Sequence, residues 1–182
     1  MRILFYAVSF VDFHEPIAVL CTHMSQLFNS SSGEQLSASA VVSELIAYMR
    51  ERPLSPYRIT IGTDSQLLHN GVADFVSAIV IHRVGNGGRY FFRRFHGKNF
   101  FTLRDRIIHE VLTSLELGTQ ILELLREHPR LQFEFEIHAD VGEHGPTKAM
   151  LQEVIGMIRA YNFEAKVKPE SYAASSIADR HV

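Results

Sequence analysis

One cysteine, Cys21, leaves the 182-residue chain no means of forming an internal disulfide, so a reducing cytoplasm is the expected setting. No apolar run approaches the ~20 residues of a membrane span, and no membrane partner is expected. The net charge of −2 excludes a chain that coats nucleic acid by bulk positive charge. An anionic partner must instead be met by a local basic patch or a metal ion. There is no internal repeat and no low-complexity tract. The length suits one domain, and 46% hydrophobic with 21% charged residues is enough apolar material for an ordinary soluble core.

Residues 1–24 read as an N-terminal extension outside the domain at 25–182. Met1-Arg2 before Ile3 to Val11 faintly resembles a signal peptide, but Asp12, His14 and Glu15 interrupt it and no small-residue cleavage pattern follows. Met24 would be a natural start for the domain.

Asn29 to Ala38 is rich in Ser and reads as a loop. Val41, Val42, Leu45, Ile46 and Met49 then fall at helical spacing, ended by Pro53 and Pro56. Strands are expected at about 57–63, 72–83 and 89–95. Asn70-Gly71 and Gly85-Asn86-Gly87-Gly88 are the turns that make them an antiparallel meander. A long helix follows from the cap candidate Thr102 to about His128, then an alternating strand at 131–139. A helix opened by Gly145-Pro146-Thr147, a short strand at 163–168 and a last helix from Ser171 to about Arg180 complete the chain. The expected fold class is α/β: a five-stranded mixed sheet, three antiparallel strands then two parallel, flanked by helices.

Two of these strands end on a carboxylate. Ile59-Thr60-Ile61-Gly62-Thr63-Asp64 is followed by Ser65-Gln66, and Phe135-Glu136-Ile137-His138-Ala139-Asp140 by Val141-Gly142. If the two strands are parallel neighbours, Asp64 and Asp140 share one sheet edge. An unpaired buried charge costs roughly several kcal/mol, and a metal ion between the pair would remove that cost. On the long helix, at ~100° per residue, Glu110 lies at the edge of the apolar stripe, while Asp105, Glu116 and Glu123 lie nearer solvent. The last helix offers Asp179 among small residues that allow close approach.

Asp64, Glu110, Asp140 and Asp179 follow the order of the ribonuclease H-like acidic tetrad. The chain resembles the uncharacterised ribonuclease H-like YkuK family through Tyr57 to Gln66, Thr147-Lys148, and Lys168-Pro169-Glu170-Ser171-Tyr172 to Ser176. That resemblance spans 25–182. It implies a ribonuclease H-like fold and a metal-dependent nuclease in which the four carboxylates hold Mg²⁺ or Mn²⁺. Glu116 stands as the alternative helix acid.

Ser65 and Gln66, directly after Asp64, are candidates to touch substrate. Thr147 and Lys148 begin a helix just after Asp140, where free N–H groups and an ammonium suit a phosphate. Lys168 ends the last strand and can reach the same edge. Arg83 to Arg106 interleave basic and aromatic residues, among them Arg93 and Arg94, in the manner of a backbone-binding surface; a charged edge strand with core aromatics reads the same way. His138 is expected to be partly exposed, and His144 and His181 are candidate proton carriers. A zinc site at His138, Asp140 and His144 does not fit a known ligand spacing.

Three functions follow from these readings. The first is a nuclease cutting RNA or an RNA-containing hybrid. The second is a non-catalytic nucleic-acid-binding or protein-interaction module on the same fold. The third, an actin-like ATPase, is disfavoured because the chain is too short for the two domains such enzymes use.

Overall fold

The computed structural model describes residues 27–181, so the expectation about residues 1–24 lies outside the described residues. The described elements are β1 (Phe28–Ser30), β2 (Gln35–Leu36), α1 (Ala38–Glu51), β3 (Tyr57–Leu67), β4 (Ala73–Arg83), β5 (Gly88–Gly97), α2 (Leu103–Arg126), β6 (Glu134–His138), α3 (Leu151–Ala160) and β7 (Glu164–Lys166). A 3₁₀ turn, Lys148–Met150, precedes α3. The C-terminal segment is a π-helical turn, Ala173–Ala178, followed by a 3₁₀ turn, Asp179–His181.

The strands form one sheet in the order β2-β1-β5-β4-β3-β6-β7. The β3-β4-β5 meander is antiparallel, and β6 and β7 add in parallel beside β3. The sheet has seven strands, not five. The Ser-rich stretch expected to be a loop is a short hairpin, with Phe28 paired to Leu36 and Asn29 to Phe92. Its two strands are too short to show an alternating pattern, so only the free edge of β5 makes them strands.

Helix caps follow the sequence closely. Ser37 Oγ accepts the Ala40 amide at the start of α1. Thr102 and Asp105 form a reciprocal capping box on α2. The main core lies on one face of the sheet, where α1 and α2 bury Leu45, Met49, Leu115 and Ile121 against Ile59, Ile61, Ile79 and Ile137. Gly118 lets α2 lie against β6, because a Cβ there would stand 2.8 Å from Ile137 Cδ1.

The C-terminal segment covers part of the other face, packing Ala178 on Val76 and Ala78. A regular last helix was the expectation. What forms is a π turn and a 3₁₀ turn, and Pro169 precedes them. The helix expected from Gly145 likewise begins as a 3₁₀ turn and becomes α-helical only at Leu151. No helix among the described residues is long and apolar enough to cross a membrane.

Candidate active site

β3 and β6 run side by side in parallel, Gly62 opposite His138. Asp64 and Asp140 therefore emerge two residues further on at the same edge. Alternation turns Ser65 toward α2, where its hydroxyl donates to Glu110 Oε1 at 2.5 Å. It turns Asp64 to the other face, under the C-terminal segment that carries Asp179. The carboxylates thus approach one edge from both faces of the sheet.

The electrostatics follow from burial. Glu110 is only 4% exposed. Desolvation pushes its pKa up to about 8, opposed by the Ser65 hydrogen bond, with Asp64 raising it further. Desolvation also lifts Asp64 to about 6; the Ser65 backbone amide opposes this, and Asp140 and Asp179 add to it. Glu116, the alternative helix acid, instead acts on Arg93. Glu110 is the α2 acid that faces the aspartates.

Two cations brace the edge. Arg106 Nη1 donates to the Ser65 carbonyl at 2.8 Å and to Ser65 Oγ at 2.9 Å. The Arg106–Glu110 spacing of one helical turn is the signal by which sequence reasoning could have found this arginine. Lys168 Nζ lies 2.9 Å from Asp140 Oδ2. The other oxygen, Asp140 Oδ1, is buried with no hydrogen-bond partner among the described residues.

The donors are all oxygen, which suits a hard divalent ion rather than zinc. Mutual repulsion at Asp64 and the orphaned Asp140 oxygen both favour a cation. Yet among the described residues no three His, Cys, Asp or Glu side chains are gathered into a metal-binding group. The carboxylates fit a hard divalent ion by the chemistry of their donors. The same finding leaves the zinc arrangement at His138, Asp140 and His144 without support.

Gln66 and Lys148 are exposed near this edge, and Ser65 is partly buried. Thr147 Oγ1 accepts the Gly142 amide at 3.4 Å, which ties the post-Asp140 loop to the start of the next turn. The 3₁₀ start there, with the Lys148 amide bonded to the Gly145 carbonyl, takes up an amide that a phosphate would have used.

The basic run does not form a free backbone-binding surface. Arg93 is 3% exposed, stacked over Phe28 and Phe95, so it cannot meet a phosphate in this conformation. Arg94 grips the buried carboxylate of Asp74 through Nε and Nη2. Arg83 binds Glu51 and Tyr57, Arg89 binds Glu44 and Glu51, and Arg104 binds Glu153. Tertiary packing places these arginines opposite acids on other elements, which sequence spacing cannot show.

His138 is buried, not partly exposed. Its Nδ1 accepts the Ala173 amide at 3.2 Å, so Nε2 carries the proton donated to Glu136 at 3.1 Å. Burial lowers its pKa to about 4, with Arg58 and Lys166 adding to the effect. His181 stacks flat on Phe92, centroids 3.8 Å apart, rather than facing the carboxylates. His144 is exposed on the loop after Asp140.

A ribonuclease H-like family model matches residues 40–182. An uncharacterized protein of Bacillus subtilis (strain 168), YkuK, is 33% identical over 167 residues, covering 86% of this chain and 96% of that protein. No solved structure gives a significant match.

Proposed function

The chain belongs to the ribonuclease H-like YkuK family, and from that premise we propose that it is a divalent-metal-dependent phosphodiesterase acting on RNA or an RNA-containing hybrid. One observation carries the reading. Asp64 and Asp140 leave parallel neighbouring strands at one edge, where burial, aided by the charges of Asp140 and Asp179, raises the pKa of Asp64 to about 6. Carboxylates perturbed in this way at one sheet edge mark a functional-site candidate.

Asp64, Glu110, Asp140 and Asp179 would hold Mg²⁺ or Mn²⁺. When bound, such an ion supplies water activation and charge neutralisation on the leaving oxygen. The chain's own residues do the rest. Ser65, braced by Arg106, orients Glu110, and burial of Glu110 favours its protonated form near neutral pH. Lys168 neutralises Asp140, and the exposed Gln66 and Lys148 stand ready for the nucleic-acid backbone. The cytoplasm, suited to a chain with one cysteine, is the proposed setting.

The test is cleavage of single-stranded RNA, duplex RNA and RNA/DNA hybrid with Mn²⁺, using the full chain and Asp64→Asn. Cleavage lost in the variant is the expected result. No cleavage of any substrate, or equal cleavage by both proteins, sinks the proposal.

A second reading has its own support. With Asp140 ion-paired to Lys168 and most arginines engaged internally, a non-catalytic nucleic-acid-binding or protein-interaction module also suits the site. It predicts binding without turnover, unaltered in Asp64→Asn.

A further inference from the structure

Asp140 is served unequally at its two oxygens. Oδ2 takes the Lys168 ammonium at 2.9 Å, while Oδ1 is buried and has no hydrogen-bond partner among the described residues. The lysine is not a wandering surface group. Beyond the end of β6 the segments that follow β6 and β7 stay in step: the Ala139 amide donates to the Lys166 carbonyl and the Lys168 amide to the Val141 carbonyl, both at 2.9 Å. Gly142 makes the approach possible, because a Cβ there would stand 3.0 Å from Lys168 Cβ. The backbone thus delivers the root of the lysine side chain beside Asp140.

Across the edge, Glu110 is treated similarly. Its Oε1 is occupied by Ser65, itself held by Arg106. Each of these two carboxylates has one oxygen engaged by a donor of the protein. The Asp140 oxygen left over lies at the same sheet edge as Asp64, which feels the charge of Asp140.

The geometry points to Lys168 as a resident cation of the carboxylate site. Its ammonium holds the place at Asp140 that a second metal ion would otherwise fill, so the site takes one divalent ion rather than two. This rests on the metal reading above and deepens it. The lysine side chain is 52% exposed, so its ammonium remains open to a substrate phosphate on the solvent side. An ammonium is a compact point charge that can stand beside a carboxylate and a phosphate together.

Mn²⁺ uptake by the full chain, counted by electron paramagnetic resonance of the free ion, tests this without reference to activity. One ion is expected in the unaltered chain and in Lys168→Arg, and two in Lys168→Ala. Lys168→Met, which keeps the length of the side chain without its charge, repeats the test should the alanine variant fail to fold. Any other pair of numbers for the unaltered chain and the charge-deleted variant overturns the inference. If the unaltered chain binds Mn²⁺ and Asp64→Asn does not, the metal reading survives that failure. If no protein in the series binds Mn²⁺, both fall.

Discussion

Glu136 and His138 lie within β6, and Asp140 lies two residues past its end. All three are polar groups drawn into the interior, yet their surroundings differ. The Glu136–His138 pair is satisfied on every side the structure describes. Glu136 Oε2 accepts His138 Nε2–H, Glu136 Oε1 faces Arg58 at 3.2 Å, and His138 Nδ1 accepts the Ala173 amide. At the strand end, Asp64 and Glu110 have raised pKa values and Asp140 has an orphaned oxygen. A network whose groups have partners holds a fold together. A group of carboxylates short of positive charge is instead held together by the fold, and it is the region in which binding is proposed.

Breaking each region separately sharpens the contrast. The largest effect expected is on chemistry. Asp64→Asn should lower Mn²⁺-dependent cleavage by at least about a thousand-fold, several kcal/mol of lost charge stabilisation. The same variant should raise the thermal midpoint at pH 8, because it removes repulsion. A fall in the midpoint would mean that Asp64 is structural after all.

His138→Leu should act in the opposite sense. It strands Glu136 and the Ala173 amide, and urea unfolding should show a loss of roughly 3–5 kcal/mol, as for other broken buried pairs. A loss below about 1 kcal/mol would show that the pair is not the anchor of the C-terminal segment.

Dependence on pH separates the regions again. Glu110 has its pKa raised from 4.5 to about 8 and Asp64 from 3.8 to about 6. Between the unfolded and folded values the native state holds protons that the unfolded chain has released. The stability from these groups is therefore complete below the unfolded values and is lost as pH rises to about 8. His138 is shifted the other way, from 6.5 to about 4, so its contribution is complete above 6.5 and is lost as pH falls through 4. Where these windows overlap the effects oppose one another, so stability measured without metal should fall most clearly between pH 6.5 and about 8, where Glu110 alone still changes. Glu110→Gln should flatten the alkaline side by about 1–3 kcal/mol and leave the acid side unchanged. A variant that moves both slopes equally would join the two regions into one network.

The smallest effect belongs to Lys168→Ala, whose half-exposed ion pair should contribute no more than about 1 kcal/mol to unfolding free energy. A larger loss would move Lys168 from the binding edge into the structural pair's company.

Much of the fold is local and was open to reading along the chain. The meander follows from its turns, where Asn70 and Gly71 both adopt positive φ. The caps at Ser37 and Thr102 and the apolar stripes of α1 and α2 follow from spacing. The strand-end positions of Asp64 and Asp140 follow from where β-branched runs stop. The β1–β2 hairpin escaped because strands of three and two residues carry no periodicity. The irregular C-terminal segment escaped because a π turn and a regular helix share the same apolar spacing over so short a length.

Sequence order alone therefore determined which carboxylates this protein can gather and on which elements they ride, since strand periodicity and helical pitch are properties of neighbours along the chain. Only the tertiary structure decided what those carboxylates meet. Parallel pairing of β3 with β6 and of β6 with β7 set Lys168 on Asp140 and buried His138, while β1 brought Phe28 over a buried Arg93. Charge balance in a buried site depends on distances of a few ångströms between residues far apart in sequence, and those distances exist only once the sheet has closed its registers.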